Sequence, residues 1–254
     1  MQDETREQYA RTRLLLGQDG LDRLRSARVA VFGVGGVGGY VVEALARSGV
    51  GALDLVDDDK VCLSNLNRQI IATRSTLGMY KVDAAAARVR DIDPDITVRT
   101  YKTFYTPETA GQFDFAQYSY VVDAIDTVTG KLSLVMQARA AGVPIICSMG
   151  AGNKLDPSRF EVADIYETSV CPLARVMRAE CRKRGVERLK VVYSKEPPLS
   201  PLPEETGEEP ASGPESRPGA PKKRAPGSIA FVPSAAGLVL AGEVIRELSG
   251  ISQK

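Results

Sequence analysis

The chain contains no histidine. That absence excludes histidine-based proton relays, catalytic triads and His-ligated metals. Chemistry must fall on carboxylates, lysine, arginine, cysteine, backbone dipoles or an oxygen-bound cation. Cysteine is sparse: Cys62, Cys147, Cys171 and Cys181 are scattered, and no pair has Cys-x-x-Cys spacing. A structural zinc site usually draws ligands from close sequence pairs, so none is expected. No run of about 18 or more apolar residues occurs, so no membrane span is expected. Few cysteines and no signal peptide point to a reducing, cytoplasmic setting. The formal net charge is only +1. Bulk charge therefore names no partner, and a nucleic-acid site would have to be a local patch.

What is present is enough apolar sequence, 43% of 254 residues, to bury a core. A helix is expected over residues 5–25, with Leu14, Leu15, Leu21 and Leu24 as its apolar set and Gly17 and Gly20 interrupting it. From residue 28, strand and helix alternate. Strands are expected at 28–33, 52–57, 96–101, 119–124 and 143–148, and helices at about 36–48, 79–92 and 129–141. A short helix is expected to open at Thr106-Pro107-Glu108. Apolar strands alternating with amphipathic helices predict an α/β fold: doubly wound, Rossmann-like, with a mostly parallel sheet and helices on both faces. Further on, strands at 159–167 and 189–194 flank a helix at 172–185. A last helix at about 234–249 carries the stripe Leu238, Ala241, Val244, Ile245 and Leu248.

Residues 195–227 break the pattern. They hold nine of the fifteen prolines and no aromatic residue. Glu204, Glu205, Glu208 and Glu209 lead, and Lys222, Lys223 and Arg224 follow. Such a segment buries too little apolar surface to offset its ordering entropy, so a disordered loop is expected. Residues 1–194 and 228–254 then form a single domain.

The first strand runs into Gly33-Val-Gly-Gly-Val-Gly38, in which Gly33, Gly35 and Gly38 match G-x-G-x-x-G. Glycines permit the tight turn, and the helix N-terminus at Gly36 offers unpaired N–H groups and a positive dipole to phosphate. Asp57 follows Gly38 by 19 residues, at the end of the second strand, where a carboxylate can take ribose hydroxyls. To this point NAD fits as well as ATP. A dinucleotide carries about two negative charges and ATP about four, so the β- and γ-phosphates call for fixed cations. Arg68 and Lys81 can supply them, with Asn65 as an uncharged donor. The alternative for Arg68 and Lys81 is a solvated charged surface. Asp126, at the end of the strand 119–124, can hold Mg²⁺ on the triphosphate; its alternative is a helix N-cap. Asp123 reads as structural.

The segments Gly33–Gly38, Asp57-Asp-Asp-Lys-Val-Cys-Leu-Ser-Asn-Leu-Asn-Arg-Gln69, Gly78-Met-Tyr-Lys81 and Asp123-Ala-Ile-Asp126 resemble the ubiquitin-activating superfamily of adenylating enzymes, the ThiF/MoeB/HesA-like proteins. The resemblance implies that the glycine loop (Gly33, Gly35, Gly36, Gly38) and Asp57 hold the nucleotide. It implies that Asn65, Arg68 and Lys81 are phosphate ligands, and that Asp126 is the magnesium ligand. It implies too that Arg11 is presented to ATP across a dimer interface.

Members that activate sulfur carriers commonly bear two Cys-x-x-Cys pairs, which this chain lacks. Glu43-Ala-Leu-Ala-Arg-Ser-Gly-Val-Gly51, Phe104-Tyr-Thr, Ser148-Met-Gly-Ala-Gly-Asn-Lys154, Asp156-Pro-x-Arg-Phe160 and Ala230-Phe-Val-Pro-Ser234 instead resemble the tRNA threonylcarbamoyladenosine dehydratases. The resemblance implies ATP- and Mg²⁺-dependent adenylation of the carboxylate of N6-threonylcarbamoyladenosine in tRNA, then cyclisation with release of AMP and pyrophosphate. It implies a homodimer and leaves a sulfur-transfer partner protein open. Two alternatives stand beside it: an adenylyltransferase for a Gly-Gly-ending sulfur carrier, and a nicotinamide-dependent oxidoreductase. For tRNA, Arg175, Arg178 and Arg182 fall on one face of the helix 172–185; the alternative is an ordinary solvated face. Cys171 sits just ahead of that helix, which favours a thiolate, but the resemblance implies a variable position rather than a thioester nucleophile.

Overall fold

The structure is a computed structural model that describes residues 7–202 and 226–251. Seven strands form one sheet: β1 (Arg28–Phe32), β2 (Ala52–Val56), β3 (Thr97–Tyr101), β4 (Tyr120–Asp123), β5 (Ile145–Ser148), β6 (Phe160–Asp164) and β7 (Lys190–Ser194). Their spatial order is β3-β2-β1-β4-β5-β7-β6. All neighbours are parallel except the edge pair β6/β7, which is antiparallel. The expected doubly wound sheet is present.

Six helices cover it: α1 (Ala10–Ser26), α2 (Gly38–Arg47), α3 (Lys81–Ile92), α4 (Val128–Ala140), α5 (Pro172–Lys183) and α6 (Phe231–Ser249). Alternation along the strands explains the two faces. Val29 and Val31 of β1 join a core shared with Val41, Leu45, Val82, Val89, Leu240 and Val244. Ala30 and Phe32 point the other way, to Phe113, Phe115, Leu134 and Ala138. A third cluster binds α4 and α5 to β5 and β7 through Val135, Cys147, Met177, Cys181 and Val191. Full burial of each such Val, Leu or Phe side chain contributes about 1.5–3 kcal/mol.

Three expectations need correction. The helix expected at Thr106 is replaced by short 3₁₀ turns at Ala110–Gln112 and Phe115–Gln117. Aromatic contacts hold this irregular chain, with the Phe32 and Tyr105 rings 4.9 Å apart. In α1, Gly17 lies at φ 69° and interrupts the helix as expected. Leu24 is buried, but Leu14 and Leu15 face solvent, as does Leu238 of α6.

The Pro-rich segment was bounded too generously. Glu196 is buried, and its carboxylate accepts the amides of Leu155 and Asp156 at 2.9 Å each. The amide of Leu199 donates to the Asn153 carbonyl at 2.7 Å, and the Asn153 amide donates to the Gly227 carbonyl at 2.7 Å. Both ends of the segment thus meet at Asn153, while the expected disorder of residues 203–225 lies outside the described residues.

Candidate active site

β1 and β4 are neighbours, yet β1 leads outward to β2 and β3 while β4 leads to β5. The crevice beyond their carboxyl ends is the topological switch point, where doubly wound sheets bind ligands. Gly33 leaves β1 there at φ 87°, a region strained for any L side chain. A Cβ on Gly33 would sit 2.7 Å from the Ala124 carbonyl oxygen, and one on Gly38 would sit 1.8 Å from the Gly33 carbonyl oxygen. The loop closes this tightly because it carries no side chains at those positions.

The Val34 amide donates to Asp57 Oδ2 at 2.7 Å, and the Asp59 amide to Asp57 Oδ1 at 2.9 Å. Asp57 thereby ties the end of β2 to the glycine loop and keeps its remaining lone pairs for a ligand. Burial raises its pKa, against the opposing pull of Lys81 and the two amides. The amides of Gly35, Gly36 and Val37 have no acceptor among the described residues. Three free N–H groups at the mouth of α2 make an anion cradle.

The 3₁₀ segment Leu63–Asn65 and the turn after it border this cradle. A Cβ on Gly36 would lie 3.6 Å from Arg68 Cγ, and one on Gly35 would lie 3.8 Å from Gln69 Nε2. Asn65 is buried; its Oδ1 accepts the Cys62 amide at 3.1 Å, which leaves its Nδ2 to donate elsewhere. The Arg68 guanidinium donates to the Ser64 carbonyl and Asn67 Oδ1, both at 2.9 Å. Lys81, first residue of α3, is buried; its Nζ lies 2.6 Å from Asp59 Oδ2 and 3.9 Å from Asp57 Oδ1. Lys81 is therefore not the solvated cation of the alternative reading.

Asp126 is exposed and follows the turn whose backbone packs on Gly33. Among the described residues its carboxylate has no hydrogen bond or ion pair, so its hard oxygen atoms are available to a cation such as Mg²⁺. Asp123 is fully buried with Lys131, at 3.0 Å, and is structural as expected.

Two residues of this site were not singled out in the sequence. Gln69 is buried, and its Oε1 is an orphaned buried polar atom among the described residues. It sits beside the cradle, where a polar ligand would satisfy it. Lys131 is a fully buried lysine beneath the Asp123–Asp126 turn. The signal for Lys131 was a lysine set between Gly130 and the apolar run Leu132, Leu134 and Val135.

Other expected residues lie elsewhere. Arg11 is exposed on the first turn of α1. The preceding Tyr9 hydroxyl donates to the Ala46 carbonyl at 3.1 Å and to Asp93 at 2.7 Å. Those partners lie at the far ends of α2 and α3, so the structure does not bring Arg11 to the cradle of its own chain. Of the stripe on α5, Arg175 is exposed, Arg178 donates to Thr168 Oγ1 at 2.9 Å, and Arg182 lies 5.2 Å from the centre of the Tyr166 ring. Two of its three guanidiniums thus hold the chain's own turn at 165–168. Cys171 is buried.

An anion cradle, fixed cations and a free carboxylate at one switch point suit a phosphate-rich nucleotide carrying a divalent cation. Comparison with known proteins bears on the nucleotide. The tRNA threonylcarbamoyladenosine dehydratase of Bacillus subtilis is 44% identical over 245 residues, covering 95% of this chain and 94% of that protein. The Escherichia coli protein of that name is 40% identical over 176 residues, covering 69% and 66%. The solved structure of the E. coli enzyme, TcdA, in complex with ATP superposes with a TM-score of 0.84 at 31% identity, over 98% of this chain and 96% of that one. The description "ThiF family" matches residues 8–254, and the chain belongs to that family.

Proposed function

We propose that this chain is a tRNA threonylcarbamoyladenosine dehydratase, an ATP-using enzyme built as one adenylating domain, to whose body Glu196, Leu199 and Gly227 are also bonded. The observation that carries the reading is likeness along nearly the whole of both chains to relatives of that name. A nicotinamide reading has no such support, and neither has the sulfur-carrier alternative.

In this reading the free amides of Gly35, Gly36 and Val37 receive phosphate oxygens, and Asp57 takes the ribose. Asn65, Arg68 and Lys81 hold the outer phosphates. A carboxylate oxygen of the modified nucleoside attacks the α-phosphorus and pyrophosphate leaves. The neighbouring carbamoyl group then closes on the activated carbonyl, and AMP leaves with its oxygen, so the nucleoside loses one water in all. Arg68 and Lys81 offset the charge that builds on the phosphates as pyrophosphate departs, which is the main electrostatic demand. Asp126 would hold Mg²⁺, which would supply further charge neutralisation there. Ring closure is intramolecular, so its entropy is already favourable. No histidine is required.

Arg11, remote from its own cradle, supports a homodimer in which each chain completes its partner's site. Arg175 and the neighbouring basic residues at the end of α5 are the candidate tRNA contacts. Among the described residues no helix is long and apolar enough to cross a membrane, which accords with a cytoplasmic tRNA-modifying enzyme.

The test is release of AMP and pyrophosphate from ATP with tRNA that carries threonylcarbamoyladenosine, against tRNA that lacks it. Release only with the modified tRNA, with loss of one water from that nucleoside by mass spectrometry, is expected. No reaction with either tRNA, but pyrophosphate exchange with a Gly-Gly-ending carrier protein, would overturn the assignment.

A further inference from the structure

The Asp123–Lys131 pair is the most completely buried ion pair among the described residues, with both side chains at 0% exposure. A buried pair is a poor source of stability, because its desolvation cost rivals its attraction. Its geometry suggests another use. Lys131 Nζ donates to Asp123 Oδ1 at 3.0 Å, to Asp123 Oδ2 at 3.1 Å and to the Ser148 carbonyl at 2.7 Å. All three ammonium donors are spent. Asp123 Oδ1 also accepts the Ile125 amide at 3.2 Å.

Three segments are fastened at one nitrogen atom. One is the turn Asp123–Asp126, whose Ala124 carbonyl packs on Gly33. Another is α4, at its first turn. The third is the end of β5, where the loop to Lys154 begins. Packing leaves the turn little room to drift: a Cβ on Gly130 would lie 2.6 Å from Ile125 Cδ1 and 2.8 Å from Thr127 Oγ1.

We infer that Lys131 is a positioning residue. Through Asp123 it sets the turn that presents the Asp126 carboxylate to a nucleotide-bound Mg²⁺, and through Ser148 it locks that turn to the loop after β5. The inference rests on Asp126 as the magnesium ligand. Groups that orient a metal ligand from behind typically alter metal affinity by about 10–100-fold when removed. A lysine that only stabilised the fold would leave metal affinity unchanged.

The experiment measures ATP binding by calorimetry as a function of Mg²⁺ concentration, alongside thermal unfolding. It uses wild type, Lys131→Met, the double variant Asp123→Asn/Lys131→Met, and Asp126→Asn as reference. Lys131→Met alone strands a buried carboxylate and is expected to lower Tm. The double variant removes both charges together, so the result is read on it. The expected result is a folded double variant whose half-saturating Mg²⁺ rises about 10-fold, with metal-free ATP affinity at the wild-type value. Asp126→Asn should shift the Mg²⁺ requirement likewise. A double variant with wild-type Mg²⁺ dependence, beside a shifted Asp126→Asn, would overturn the positioning role alone. An unshifted Asp126→Asn would overturn the metal assignment, and the inference with it.

Discussion

Arg68 and Asp126 reach the glycine loop from different parts of the chain, one beside Gly36 and the other on the turn that abuts Gly33. Neither supports the core. Among the described residues Arg68 bonds only within its own loop, and Asp126 is exposed. Alanine at either position should therefore leave stability within about 0.5 kcal/mol of wild type. AMP formation should fall by at least about 10²–10³-fold, the usual cost of removing one group that stabilises transition-state charge. Folded variants with wild-type AMP release would refute the site. These residues were legible because Gly33–Gly38, Asp57, Asn65–Gln69 and Lys81 lie in short segments that a switch point must gather. The inward turn of Arg178 was not legible because helical spacing reports a shared face, not the Thr168 hydroxyl that this face meets. Lys131 was passed over because one lysine in an apolar helix carries no periodic signal of its own.

At the scale of elements, the helices beside the cradle are fastened by charge. Glu43 of α2 accepts two hydrogen bonds from Arg88 of α3, at 2.6 and 3.0 Å, and one from Arg47 at 2.7 Å. Burial alone would raise the Glu43 pKa, but the hydrogen bonds and charges of Arg88 and Arg47 outweigh it and hold the carboxyl below its usual value. A carboxylate depressed in the folded state stabilises fully above its unfolded pKa of about 4.3, and this stabilisation is lost as pH falls through the folded value. Both arginines are partly exposed, so the effect is discounted to about 1 kcal/mol. Glu43→Gln should thus lose about 1 kcal/mol at neutral pH, with the gap to wild type closing below about pH 4. Urea unfolding at both pH values measures this, and a gap that persists at the lower pH would contradict it. The helices and parallel strands were legible because strands covered on both faces read as apolar runs, and helices keep their period. The chain at 104–118 was not legible in the same way. Tyr105, Phe113 and Phe115 pack against Phe32 without any repeat. The antiparallel direction of β6 was equally silent, because a half-exposed edge strand carries no mark of its orientation.

The whole molecule presents Leu14 at 85% exposure, Leu15 at 81% and Leu238 at 51%, on the neighbouring helices α1 and α6. Leu14 and Leu15 are neighbouring exposed apolar side chains on the helix that carries Arg11, which fits the proposed homodimer. If Arg11 serves the partner's cradle, each site is built from two chains, with Arg68, Lys81 and Asp126 from one and Arg11 from the other. Arg11→Ala and Asp126→Ala should then each be inactive alone, yet complement when mixed and allowed to exchange subunits. Random mixing makes half the dimers mixed, and each mixed dimer holds one intact site of two, so activity should recover to about a quarter of wild type. If Arg11 acted within its own chain, every site would keep one defect and mixing would restore nothing. Leu14→Glu/Leu15→Glu supplies the companion measurement. Sedimentation should show a monomer that still unfolds cooperatively, because neither leucine belongs to the core, and its AMP release should fall to the level of Arg11→Ala. A monomer with full activity would show instead that one chain holds everything the reaction needs.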